Sequence, residues 1–438
     1  LTDVVALALE NNPATRQSWE TTRAALDDYG SARGTLYPNV SASLSLSRGG
    51  AGGFGFGGFG ADTLAGGTTS GTNFVGGGGA GSSNAIQVTP AIALSYVVFD
   101  MGGRAGTIES AKQQAIAANL VHNTTVVDIV LQTESALFSY LATRALRDAQ
   151  RTAFEEAQTD TAAAEARLRV GVGTLRDVLQ ARTALAQTRF QLVTDEGTLL
   201  AARGTLATAM GLRADAQFEI PDFPGIAGGH IKNVAASVDT LINRALVLRP
   251  EVAESRAQAA ALAAEIRVAR SAGYPSLTLT SSGNYPQLGG GVGSQRRLNS
   301  TLVFGMRIPI FNGFSRQFDL AAARARYEAG LAAVKSTNQQ VALQVFSSYS
   351  SLKSATERVA AAADLLTSAR QAADVALGSY REGVATIVDV LIARNALATA
   401  RAEDIQARWE WRTALAQLAH DTGVLDTAGR PNLPLGVP

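Results

Sequence analysis

The sequence predicts an α+β membrane protein in which a few amphipathic strands per chain join a β-barrel shared between copies, continued by very long helices. Three observations carry this. The chain is written twice. Its strand signatures come in two distant pairs. Each pair is followed by a stretch of ~65 residues that contains nothing to break a helix.

The repeat is explicit. Gly171-Val172-Gly173-Thr174-Leu175-Arg176-Asp177-Val178-Leu179 returns 212 positions later as Gly383-Val384-Ala385-Thr386-Ile387-Val388-Asp389-Val390-Leu391. Phe99, Arg104 and Gly211 return at the same spacing as Phe311, Arg316 and Gly423. Asn12-Pro13 and Tyr37-Pro38 correspond to Arg249-Pro250 and Tyr274-Pro275, here 237 positions on. The extra 25 residues fall in the glycine-rich stretch of the first half, as an insertion in a surface loop would. The predicted organisation is a first repeat over 1–211, an equatorial linker over 212–240, a second repeat over 241–423 and an equatorial tail over 424–438.

Within each repeat the order is helix, strand, loop, strand, very long helix, tight turn, long helix. Leu1 to about Tyr37 reads as helix broken at Pro13, and Leu241 to about Tyr274 as helix broken at Pro250. Alternating apolar and small polar residues then mark strands at about 39–48 and 86–99, and at about 276–284 and 300–311. Val40, Leu44, Ile92, Leu94, Tyr96 and Val98 share the apolar faces of the first pair. Leu302, Phe304, Met306, Ile308 and Ile310 do so on the fourth strand. Such strands suit a half-buried soluble sheet or a transmembrane barrel with a wet lumen. The context selects the barrel, since four strands in two distant pairs lack partners and a barrel needs about eight. Three chains would supply twelve.

From about Gly103 to Arg169, and from about Ser315 to Glu382, apolar residues recur at helical spacing, as Val126, Ile129, Val130, Leu137, Tyr140 and Leu141 do. Helices of this length must lie along other helices, and their many alanines allow close approach. Each ends at a glycine-bearing turn, at about 169–175 and 381–387. Thr174 and Thr386 are then placed to cap the returning helices, with Asp177 and Asp389 in the first turn.

The remaining composition narrows the classes. Among 438 residues the net charge is +1, so no phosphate-tracking field and no nucleic-acid partner are expected. The absence of cysteine removes disulfides, thiolate metal sites, a cysteine nucleophile and, within this chain, a lipidated N-terminal cysteine. No apolar run of about 18 residues occurs, so no transmembrane helix is predicted. The chain opens at Leu1, as a processed product would. His122, His230 and His420 show no metal spacing and read as structural, no catalytic constellation stands out, and no cofactor or metal is expected. The glycine-rich 49–81 segment lacks the Gly-Lys-Ser/Thr ending of a phosphate loop and reads as a flexible extracellular loop.

On these features the chain resembles the TolC family of outer-membrane channels, the outer-membrane efflux factors. The motifs are the duplicated hairpins, the Tyr-Pro strand entries, Phe99-Asp100-Met101-Gly102-Gly103-Arg104 and Phe311-Asn312-Gly313 at the strand exits, and Ser379-Tyr380-Arg381-Glu382-Gly383 leading into Thr386 to Leu391. The resemblance implies a homotrimer in the bacterial outer membrane, with a twelve-stranded barrel, a twelve-helix periplasmic tunnel and an equatorial belt. Small molecules would pass from an inner-membrane pump through a periplasmic adaptor to the exterior, without chemistry. The adaptor would dock on the tips: Arg169, Val170, Gly171, Val172, Gly173 and Thr174, with Glu382, Gly383, Val384, Ala385 and Thr386. Ile92, Leu94, Tyr96, Phe304, Met306 and Ile308 would face outer-membrane lipid.

The family's constriction carries acidic rings. Asp389 matches one, and the second falls on Ile392. Tyr380 matches a tyrosine that helps hold the tips closed. Its basic partner position is Ala385, which leaves Arg381 as the substitute. Asp389 and Asp177 suit equally a pore role and a plain helix-start charge. Two other readings remain open at this level: the exit duct of a type I protein secretion system, and a structural coiled-coil scaffold.

Overall fold

The computed structural model describes residues 2–48, 86–220, 237–285, 287–288 and 298–425. The 49–81 loop, His230, and most of the linker and tail lie outside the described residues.

Eight helices and five strands are described: α1 (Thr2–Asn11), α2 (Pro13–Gly34), β1 (Asn39–Arg48), β2 (Ile86–Phe99), α3 (Gly103–Arg169), α4 (Leu175–Ala209), α5 (Val238–Leu248), α6 (Pro250–Ser271), β3 (Ser276–Asn284), β4 (Gln287–Leu288), β5 (Asn299–Arg307), α7 (Ser315–Arg381) and α8 (Ile387–Asp421). Pro13 and Pro250 each open a helix, at the first position, where the missing N–H would have had no partner anyway. α3 and α7 are 67 residues each, and α4 and α8 are 35 each. Among the described residues no helix is long and apolar enough to cross a membrane.

Two compact units form, and each draws on both repeats. One comprises Leu1–Tyr29, Glu109–Ala264 and Ala323–Pro438, the other Gly30–Ile108 and Glu265–Ala322. The cause lies in the pairing: strands of the two repeats share one sheet, and helices of the two repeats share one core.

The helical unit buries Val5, Val130, Leu241, Ala245, Val252, Val341, Val345, Leu352, Leu418 and Ala419 as a single cluster that six helices contribute to. Towards the hairpin ends the cores shrink to alanine. Ala164, Val178 and Ala181 lie between α3 and α4, and Ala369, Ala373, Leu397 and Ala400 between α7 and α8. The Thr161 hydroxyl, 2.8 Å from its own Ala157 carbonyl and 3.2 Å from the Ala181 carbonyl, ties α3 to α4.

The sheet unit is antiparallel in the order β1-β2-β3-β5, with β4 against β2. Residues facing each other across a pair share a side. Val40 faces Leu94, Tyr96 faces Leu279, and Leu279 faces Phe304. On the opposite side Ser41 faces Ala93, Ala93 faces Ser282, and Ser282 faces Thr301. One side is therefore apolar and the other small and polar across all four long strands.

Three local departures from the alternating pattern have backbone causes. A bulge between Val97 and Phe99 shifts the phase, so that Phe99, not Val98, sits opposite Leu277. At Pro90, which has no N–H, the partner of β2 changes from β3 to β4, a strand that two residues are too short to announce. β5 ends at Arg307 opposite Ser276 rather than continuing to Phe311: Pro309 lacks a donor, and Pro275 ends β3 on the facing side. Ile308 thus lies just beyond the strand and is exposed.

The strand-to-helix exits use left-handed backbone in both repeats, at Met101 (φ 50°) and Gly102 (φ 91°), and at Gly313 (φ 66°) and Phe314 (φ 65°). Glycine adopts this region freely, whereas for Met101 and Phe314 it costs on the order of 1–2 kcal/mol.

Candidate functional site

The two hairpin turns are built alike. At the end of α3 the Arg167 carbonyl accepts the N–H groups of Val172 and Gly173, each at 3.0 Å, and Gly171 takes φ +80°. At the end of α7 the Ser379 carbonyl accepts those of Val384 and Ala385 at 2.9 and 3.2 Å, with Gly383 at φ +79°. These bonds satisfy carbonyls that the helix ends leave open. Val170, Val172 and Val384 project from the turns and are exposed.

Each returning helix starts in a reciprocal cap. Thr174 N–H donates to Asp177 Oδ2 at 3.0 Å while Asp177 N–H donates to Thr174 Oγ1 at 3.2 Å. Thr386 donates to Asp389 Oδ2 through both N–H (2.8 Å) and hydroxyl (2.7 Å). These bonds, the hydroxyl's first, hold the Asp389 carboxyl below the usual aspartate range, so it stays charged. The helix-start role of both aspartates is thus on view. It leaves Asp389 exposed, with Ile392, 65% exposed, one turn further along α8.

Tyr380 is buried against Ile387 and Val390. Its basic partner is not Arg381. The Arg167 guanidinium of the other hairpin lies 4.6 Å over the Tyr380 ring and donates through Nη1 to the Tyr380 carbonyl at 2.7 Å. Arg381 instead helps to stabilise the Asp160 carboxylate. Arg167 stands 213 positions before Tyr380, at the end of the other long helix, so no local spacing announces the contact.

A second junction between the hairpins was not legible as a site. Arg394 of α8 reaches Glu156 of α3 at 3.0 Å and lies 3.4 Å from Asp160, and Arg401 holds Glu156 at 3.1 Å. Asp160 is nearly buried, and desolvation raises its pKa despite Arg394. The repeat does hold a signal. Arg394 and Arg401 are duplicated as Arg182 and Arg189, but the positions equivalent to Glu156 and Asp160 are Ser368 and Ala372. Duplicated arginines whose carboxylates are not duplicated mark a contact between the repeats. Arg182 accordingly pairs within its own hairpin, with Glu165 at 2.7 Å.

His122 bonds Ser18 at 2.8 Å and meets the Trp19 ring edge-on. His420 sits between Asp128 (2.8 Å) and Asp421 (3.0 Å), joining the end of α8 to α3. Among the described residues no group of acidic and histidine side chains could hold a metal.

Comparison with known proteins places this geometry. A profile of the outer membrane efflux protein family matches residues 4–212 and 241–424. Protein CyaE of Bordetella pertussis is 27% identical over 428 residues, covering 96% of this chain and 83% of that protein. The pyoverdine export outer membrane protein OpmQ of Pseudomonas aeruginosa is 27% identical over 345 residues, covering 77% of this chain and 69% of its own length. Among solved structures, the outer membrane protein VceC of Vibrio cholerae superposes with a TM-score of 0.77 at 19% identity, over 96% of this chain and 95% of that one, a likeness of fold. The family is one of transport channels rather than enzymes. Its profile covers both helix–strand–hairpin stretches and omits the segment between them, so the chain belongs to the outer membrane efflux protein family and is the outer-membrane component of an efflux system.

Proposed function

We propose that three copies of this chain close one twelve-stranded barrel and one helical tunnel, and that the tunnel is a passive exit duct for small molecules. The observation that carries this is the sheet. It has an apolar face exposed to its surroundings and two edges, β1 and β5, with no partner strand within the described chain. An open edge of nine or ten residues is a template for another strand, and in lipid strands persist only in a closed barrel, where no edge is left unpaired. In this assembly the repeats 1–211 and 241–423 act as equivalent units, with 212–240 and 424–438 forming a belt. An adaptor seats on the exposed valines of the tips and bridges to an inner-membrane pump. Export of pyoverdine, as in the name of OpmQ, fits an exit duct.

The constriction of this duct is a ring of Asp389 carboxylates with a ring of Ile392 side chains one turn on. Arg167 clasped to Tyr380 holds the two tips of a protomer together. Charged rings select ions by field, and apolar rings resist wetting. In planar bilayers the purified protein is expected to give a small, cation-selective conductance. Asp389→Ala should lower the selectivity, and Arg167→Ala should raise the conductance by freeing one tip from the other. A conducting trimer with neither change would remove both residues from the gate. Absence of conductance from protein soluble without detergent would favour a scaffold and overturn the duct.

A further inference from the structure

The described strands hold two charged residues, Arg48 and Arg307, and only Arg307 has the phase of the small polar side of the sheet. It closes β5 opposite Ser276, in step with Gly305 and Thr301, while Met306 before it pairs with Leu277 on the apolar side. Everything else on the polar side is neutral and mostly small, as Ser41, Ala93, Thr280 and Ser282 are. Arg307 is exposed, and its guanidinium has no ion-pair or hydrogen-bond partner among the described residues.

Arginines with a structural task in this unit show it in their contacts. The Arg104 guanidinium donates to the Thr35 and Val98 carbonyls, each at 3.3 Å, and lies 5.9 Å from the centre of the Tyr96 ring. Arg316 donates to the Gly273 carbonyl at 2.9 Å. Arg307 has no such tie. The position before it on its own side is Gly305, which leaves the space beside it open. Nor does the repeat call for it, since the residue 212 positions earlier is Ser95. A cation that neither packing nor duplication explains, on a side otherwise stripped of charge, is placed to act on what passes that side.

We propose that Arg307, one from each of three copies, forms a ring in the barrel lumen that attracts solutes carrying a carboxylate and holds each briefly as a guanidinium–carboxylate pair. The ring rests on the barrel reading above. Twelve strands spaced about 4.8 Å apart and tilted by about 40° enclose a wall of radius about 12 Å. An extended arginine reaches about halfway from wall to axis, so a solute on the axis lies within the screening length of about 8 Å at physiological salt. No carboxylate on this side of the described strands cancels the field. The guanidinium fork offers two parallel N–H donors that match the two oxygens of a carboxylate, and no second cation on this side serves the larger charge of a phosphate. The lumen is wet, so release is fast, as passage requires. The narrower Asp389 ring sets the selectivity of the whole duct, and the action of Arg307 is therefore local.

The chain has no cysteine, so a single introduced thiol reports on its own surroundings. Ser276→Cys puts a thiol directly across from Arg307, and Thr301→Cys puts one on the same side about 20 Å along the strand, beyond the screening length. Each would be made with Arg307 and with Arg307→Gln, in trimer reconstituted into lipid vesicles. Two methanethiosulfonate reagents would be compared, one bearing a sulfonate and one a trimethylammonium group. Their rate ratio cancels any change in the reactivity of the thiol itself. The expected ratio of anionic to cationic rate at 276 is severalfold higher with Arg307 than with Arg307→Gln, and at 301 it is the same in both. Acetate in place of chloride, at equal concentration, should lower the ratio at 276 with Arg307 and leave it unchanged with Arg307→Gln. An equal ratio at 276 in the two proteins would mean that the guanidinium does not act on the lumen. Acetate and chloride acting alike would mean that it holds no carboxylate. Either result overturns this inference, and reaction at 301 with Phe304→Cys shielded would leave the barrel intact. Equal reaction at 301 and 304 would remove the barrel and the ring with it.

Discussion

Phe304→Arg is expected to abolish the assembled barrel, whereas Thr301→Arg, three residues earlier on the same strand, is expected to leave it standing. The two substitutions add the same charge and similar bulk, and they differ in the side from which they leave β5. Phe304 continues the apolar row through Leu279 and Tyr96, and Thr301 the small polar row through Ser282 and Ala93. An arginine towards lipid costs about 2–4 kcal/mol near the middle of the bilayer, and three chains would each incur it, while one towards a wet lumen keeps its hydration. Folded trimer extracted in mild detergent, resolved on unheated gels, is the measure. Equal loss in both variants would mean that the two sides of the sheet are not lipid and lumen.

The second large effect concerns pH. Burial of His420 opposes its charge, but the hydrogen bonds it donates to Asp128 and Asp421 outweigh it and raise its pKa to about 9. Asp421 responds in the opposite direction. Its burial opposes ionisation, and His420, with help from Ser348 and Gln417, lowers its pKa. A histidine whose pKa is higher folded than unfolded contributes stability that is complete below about pH 6.5 and is lost as pH rises through about 9. A shift of this size corresponds to about 3 kcal/mol at most, and about 2 once the exposure of Asp128 to solvent is allowed for. The thermal midpoint should therefore fall between pH 7 and pH 10 in the parent protein. In His420→Gln it should be lower at pH 7 and nearly level over that range. A parent and variant with parallel pH curves would show that the imidazolium contributes nothing.

Much of the architecture was legible because its signals are periodic. Alternation placed strands at about 39–48 and 276–284, and long runs without proline marked the long helices, since a helix of this length has no local alternative. The bulge at Val98 and the early end of β5 were not legible, because they depend on which strand lies alongside. The same holds for the hairpin tips. The capping boxes of Thr174 and Thr386 follow from three-residue spacing, but the clasp of Arg167 on Tyr380 joins helices far apart in sequence. Period and spacing carry no information about it.

One consequence of the glycines at the hairpin ends reaches beyond the present chain. Gly211, at φ +73°, lies so near the break between α1 and α2 that an added Cβ would come within 2.5 Å of the Asn11 backbone. Gly423, at φ +70°, approaches the break between α5 and α6, with Leu248 Cβ 3.0 Å from the same hypothetical atom. Each repeat therefore closes on itself, the end of its hairpin returning to its own first helices. A half-length ancestor would already have carried this closure, two strands and one hairpin. Six such units would encircle the same duct that three duplicated chains encircle in the proposed assembly. Fusion of two such units would free alternate positions around the ring to diverge, and Phe314 at the place of Gly102, like Ser368 at the place of Glu156, is a difference of that kind.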